Sequence, residues 1–91
     1  MKVTIRCYAR FRDAFGDEQE LVIPDRATIL DAVRTVAGTG PDAELLIDED
    51  KNIRSYVMIM HRDIRISPMD AGTVPLSDGD SLILFPPVSG G

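Results

Sequence analysis

The chain has 91 residues, 44% hydrophobic and 27% charged, with ten Lys and Arg against fifteen Asp and Glu for a net charge of −5. That is enough for one core in one small domain and excludes wholesale disorder, while the acidic balance and scattered basic residues argue against nucleic acid and, on charge alone, favour a basic protein surface as partner. A single cysteine and a single histidine exclude an internal disulfide and a four-ligand zinc or iron–sulfur site; with no signal-like opening and no apolar run of spanning length, the expectation is a cytoplasmic protein without a membrane partner.

Met1, Val3, Ile5, Cys7 and Ala9 alternate with Lys2, Thr4, Arg6, Tyr8 and Arg10. A period of two predicts a strand with one buried face, so Cys7 points inward as a packing residue, and no base stands near it to activate the thiol. Residues 11–15 allow one helical turn, and Gly16-Asp17 is a turn signal before a second strand at 18–23. Together these predict an amino-terminal hairpin. Pro24 and Asp25 end it, and Thr28 followed at three residues by Asp31 is a capping-box pattern opening a helix. Ile29, Leu30, Val33, Val36 and Ala37 share one side of that helix, which Gly38 and Gly40-Pro41 terminate. The stripe is expected to be core.

Residues 42–52 are ambiguous: 43–47 fits a short helix, and Asp48-Glu49-Asp50 fits a solvated turn that lacks the spacing of a calcium loop. Residues 56–60 read as a strand that is apolar on both parities, which leaves the facing of Tyr56, Met58 and Met60 open. His61-Arg62-Asp63 is a tight connection to a return strand at 64–66, and His61 is expected to be exposed within it. Residues 67–77, with Pro68, Gly72 and Pro75, read as loop; Asp78-Gly79-Asp80 then turns into a final strand at 81–85.

The order β-β-α-β-β-β predicts an α+β protein of the β-grasp or ubiquitin-like class, a mixed sheet of about five strands with one main helix on one face. First and last strands run parallel in its centre. Leu82 and Leu84 then face the helix, while Ile83, Phe85 and Tyr8 form an apolar patch on the uncovered face, a candidate partner-binding surface. Residues 1–85 are the expected domain and 86–91 a flexible tail, Pro86-Pro87-Val88-Ser89-Gly90-Gly91. The prolines favour extended geometry and the two glycines bring no Cβ into a narrow channel, so a partner's active site could enclose the backbone and reach the terminal carboxylate. Six extended residues span roughly 20 Å.

Leu76, the Asp78-Gly79-Asp80 turn, the strand at 81–85 and the PPVSGG ending closely resemble the small sulfur-carrier subunit of molybdopterin synthase, and Tyr8-Ala9-Arg10-Phe11 with Gly16 and the capped helix agree more loosely. The chain departs from that family at His61-Arg62-Asp63, where an Asn-Gly-like turn is common. The resemblance implies a carrier protein with no catalysis and no bound cofactor of its own. Its reactive group is the Gly91 carboxylate, with Gly90, Ser89, Val88, Pro87 and Pro86 threaded into the partner. A ubiquitin-activating-type adenylating enzyme would use ATP and Mg to form an acyl-adenylate on Gly91, and sulfur would convert it to a thiocarboxylate. The larger molybdopterin synthase subunit would hold the pterin that accepts the sulfur. A second implication, shared with the small archaeal modifier proteins, is an isopeptide bond from Gly91 to lysines of target proteins. A non-catalytic interaction module and a thiamine-pathway sulfur carrier rank below these.

Overall fold

The computed structural model describes residues 1–87. Its strands are β1 (Lys2–Cys7), β2 (Glu18–Val22), β3 (Met58–His61), β4 (Ile64–Ile66) and β5 (Ser81–Phe85); its helices are α1 (Ala9–Phe15) and α2 (Ile29–Ala37), with 3-10 turns at Pro41–Leu45 and Pro68–Thr73. The strands form one mixed sheet in the order β2-β1-β5-β3-β4. β1 and β5 are its central parallel pair, and the other neighbours are antiparallel. This is the predicted β-grasp arrangement.

The alternation in β1 places Val3, Ile5 and Cys7 in the core. It stops there. Tyr8 is extended but Ala9 turns into the left-handed region at φ 53°, so α1 takes over the last two residues of the alternating pattern and Ala9 is exposed rather than buried. The amino-terminal hairpin is therefore present with α1 inserted in its connection, and Phe11 of α1 is fully buried.

α2 starts with the capping box read from the sequence. Thr28 Oγ1 accepts from the Asp31 backbone N–H at 3.2 Å, and the Asp31 carboxylate accepts from the Thr28 N–H at 2.9 Å. Ile29, Ala32, Val33, Val36 and Ala37 are buried against the sheet, while Leu30 lies half-buried at the edge of the stripe. Leu82 and Leu84 of β5 meet them, both at 0% exposure. Fully burying side chains of this size contributes roughly 1.5–3 kcal/mol each, so the amphipathic helix closing on the sheet forms the centre of a core that Phe11, Leu46, Ile53 and Leu76 complete.

Three segments differ from the sequence reading, the first being the short helix allowed at 43–47, which is the 3-10 turn Pro41–Leu45. Part of 67–77 is ordered as the 3-10 turn Pro68–Thr73, which buries Ala71 and packs against α2. The strand expected at 56–60 is shifted to Met58–His61. His61 is therefore strand, not turn, and it is buried rather than exposed: its neighbour on β5 is Leu82, and its side chain is 8% exposed. The turn itself is Arg62-Asp63, both at positive φ (53° and 63°), the two-residue geometry that matches the twist of a hairpin. No helix among the described residues is long and apolar enough to cross a membrane.

Candidate functional site

β5 organises the site because it carries different chemistry at its two ends. At its start, Asp80 gathers the surrounding chain. Its carboxylate accepts from the Ser77 backbone N–H at 2.8 Å, from His61 Nε2 at 3.0 Å, and from Arg62 Nε and Nη2 at 3.2 and 3.1 Å. A carboxylate can only accept, so His61 Nε2 carries the proton. Burial opposes ionisation of Asp80, yet the Ser77, His61 and Arg62 hydrogen bonds and the Arg62 charge outweigh it and hold the carboxyl below its ordinary range. Asp78 and Gly79 tie the same turn to β1, Asp78 Oδ1 accepting from Lys2 N at 2.7 Å and Gly79 N donating to Lys2 O at 2.7 Å. Gly79 sits at φ 87°, where a side chain is strained.

At its other end β5 delivers Phe85, Pro86 and Pro87. Phe85 and Ile83 point to the uncovered face and are half-buried, as expected from parity. The Tyr8 and Phe85 ring centroids are 5.8 Å apart, and the Tyr8 N–H donates to Leu84 O at 3.1 Å, so the rings meet where the chain leaves the sheet. The three residues proposed as a patch are thus brought together. Pro86 is half-buried and Pro87 exposed. Val88, Ser89, Gly90 and Gly91 lie outside the described residues.

The registers add residues that parity alone left undecided. Met58 is opposite Phe85 and Met60 opposite Ile83, so both methionines join the patch, while Val57 and Ile59 are buried beneath the helices. Arg6 is opposite Ile83 on the β1 side and Arg65 is opposite Met60 on the β4 side. A row therefore crosses the sheet as Glu18, Arg6, Ile83, Met60, Arg65. Tyr56, the third residue of open facing, is half-buried; its hydroxyl donates to Leu45 O at 2.8 Å and the Arg10 guanidinium lies 5.7 Å from its ring centroid.

No other constellation on the described chain resembles an active centre. Cys7 is buried, and burial first and the Asp17 charge second push its thiol up to about 11, which removes the thiolate at neutral pH. A shallow depression of about 510 Å³ lined by Ile23, Pro24, Arg26, Asp31, Arg34 and Thr35 lies at the β2–α2 connection, away from the sheet face. Among the described residues no three His, Cys, Asp or Glu side chains are grouped to hold a metal ion. What the geometry provides is a rigid strand, an apolar face beside its end, and a chain that continues from it.

Comparison with known proteins places this geometry. A profile of the ThiS family matches residues 5–91. Small archaeal modifier protein 3 of Haloferax volcanii is 27% identical over 92 residues, covering all of both chains. A putative molybdopterin converting factor subunit 1 from Pyrococcus furiosus superposes with a TM-score of 0.72 at 29% identity, over 97% of this chain and 99% of that one. The crystal structure of SAMP1 from Haloferax volcanii shares the fold at a TM-score of 0.83 and 24% identity, over the whole of both chains.

Proposed function

The chain belongs to the ThiS family of small ubiquitin-like sulfur carriers and modifiers, and within that family we propose that it carries sulfur on the Gly91 carboxylate for assembly of the molybdenum cofactor. The observation that carries the reading is the route of β5: a central strand, fixed on both sides, leads directly from an apolar docking face into Pro86-Pro87 and the diglycine. A carboxylate is a poor electrophile. A partner adenylating enzyme would therefore spend ATP, with magnesium, to form an acyl-adenylate and release pyrophosphate. The terminal sulfur of a persulfide then attacks the acyl carbon and expels AMP, and a thiol cleaves the resulting sulfur–sulfur bond to leave the thiocarboxylate. The larger synthase subunit would hold the pterin that takes the sulfur. The chain is a co-substrate in this scheme, and the partners' enclosure of its end supplies the positioning. The likeness to a molybdopterin converting factor subunit supports the choice of acceptor.

Intact-mass measurement of protein from the native host tests this directly. A fraction with one oxygen replaced by sulfur at Gly91 is expected, and its consistent absence under sulfur-replete conditions overturns the reading. Pyrophosphate exchange with the host's adenylating enzyme should require Gly90 and Gly91.

A second reading, conjugation of Gly91 to lysines of other proteins, is supported by the full-length similarity to Small archaeal modifier protein 3. Proteolytic digests of host proteins should then contain lysines bearing a remnant of this tail, and deletion of Gly91 should remove them.

A further inference from the structure

The chain is acidic as a whole, with a net charge of −5, and whole-chain charge points to a basic partner. The sheet's uncovered face is charged the other way. β1 turns Lys2, Thr4 and Arg6 toward it, β5 turns Ser81, Ile83 and Phe85, β3 turns Met58 and Met60, and β4 turns Arg65. These four strands put no carboxylate there. The two on that face, Glu18 and Glu20, belong to the edge strand β2 and already face cations, Glu18 at 3.7 Å from Arg6 and Glu20 at 3.6 Å from Lys2. Arg65 has no ion pair among the described residues.

The apolar pair Ile83–Met60 is thus flanked by one guanidinium on each side. Arg6 and Arg65 stand three strand spacings apart, about 14 Å between backbones. Arg6 also lies 6.0 Å from the Tyr8 ring centroid, beside the residues at the tail's root. Its contact with Glu18 is solvent-exposed, and such pairs are worth only about 0–1 kcal/mol, so a better-placed partner carboxylate displaces it readily. Met58 and Met60 give the centre of the face adaptable packing. A second copy of the chain is a poor occupant, because two such faces brought together oppose arginine to arginine.

We infer that the protein docking on this face presents an apolar centre bordered by carboxylates that meet Arg6 and Arg65, so that recognition runs against the sign of the chain's net charge. The inference rests on the carrier reading for the identity of the partner, the host's adenylating enzyme. Binding of that enzyme to the full chain is measured by calorimetry at low and high salt, with Arg65→Glu, Arg65→Gln and Arg6→Glu compared with Arg26→Glu. The control changes net charge equally but sits in the β2–α2 connection.

The reversals at 65 and 6 are expected to weaken binding about tenfold at low salt, through the encounter rate, with Arg26→Glu within about twofold. Arg65→Gln should fall between, and high salt should compress the differences. Equal effects at 65 and 26, tighter binding by Arg65→Glu, or no binding by the unaltered chain overturns the inference. So does a dimer seen by sedimentation that Arg65→Glu dissolves, which assigns the face to a second copy. Pyrophosphate exchange on the same samples keeps the two readings apart: charge-dependent binding without exchange refutes sulfur carriage and leaves the docking chemistry standing.

Discussion

Asp80→Ala is expected to be among the most destabilising single changes outside the apolar core. The wild-type carboxylate is only 11% exposed and satisfies the Ser77 N–H and His61 Nε2, while Arg62, 60% exposed, contributes a third partner from the surface. A hydrogen bond to a buried charged acceptor is worth about 1.5–3 kcal/mol, and the solvated Arg62 pair about 0–1 kcal/mol. Losing the set, with His61 left buried and unpaired, should cost about 3–5 kcal/mol, from a total stability on the order of 5–14 kcal/mol for a chain of this size. At about 4–8 °C per kcal/mol, Tm falls by at least about 12 °C. Arg62→Ala should cost under about 1 kcal/mol.

Urea denaturation between pH 3 and 7 supplies both checks on Asp80. Its carboxyl is held low in the fold, so its contribution is complete above the unfolded pKa of about 3.9 and is lost as pH falls through the folded value. The gap between wild type and Asp80→Ala should therefore narrow as pH falls below about 3.9. A loss below about 1 kcal/mol at pH 7, or a gap that does not narrow below about pH 3.9, refutes the assignment of Asp80 as the clamp at the start of β5.

Three further outcomes are expected. Cys7, with its thiol at about 11 and its side chain in the core, should resist alkylation at pH 8 in the native state and react promptly in denaturant; fast native labelling places it at the surface. Thr28→Ala removes the side-chain half of the capping box, the Thr28 Oγ1 acceptor of the Asp31 N–H, while the backbone N–H of residue 28 still reaches the Asp31 carboxylate; it should cost about 1 kcal/mol, read as a Tm decrease of about 4–8 °C. Phe85→Ala, half-buried against Tyr8, should cost about 1–2 kcal/mol while clearly weakening partner binding, whereas Leu84→Ala, fully buried, should cost about 2–5 kcal/mol; equal losses would put Phe85 in the core.

Features set by neighbours in sequence were legible before the structure. The alternation of β1, the Thr28–Asp31 box and the opposite facing of Leu82/Leu84 and Ile83/Phe85 depend on local periodicity and local hydrogen bonds, and each is found as read. Features set by pairing were not. His61 reads as a polar residue ahead of a turn, and it is buried because Asp80, nineteen positions away, satisfies it. Met58 and Met60 could not be faced from a segment apolar on both parities until β5 fixed their register. Ala9 fits the strand pattern in every respect but its φ, and its composition announces no left-handed turn. Arg6 and Arg65 look like scattered surface cations in sequence and become a matched pair only when two intervening strands are placed between them.

β5 separates the work of holding from the work of presenting. Its first residues are tied by Asp78, Gly79 and Asp80 to β1, to Ser77 and to the β3–β4 hairpin. Its middle is locked by Leu82 and Leu84 in the core and by strands on both sides. Phe85 is the last β5 residue on the open face, paired with Met58 in the ladder and lying beside the Tyr8 ring and Pro86. A partner that binds Tyr8, Ile83, Phe85, Met58 and Met60 therefore grips the last residues of the sheet before Pro86, and the error in where it finds that point is the small displacement of a central strand rather than the larger one of a loop. Loosening the far end of β5 at Asp80 should accordingly disturb stability more than docking, and altering the face should do the reverse. That opposition distinguishes this arrangement from one in which a single surface serves both ends.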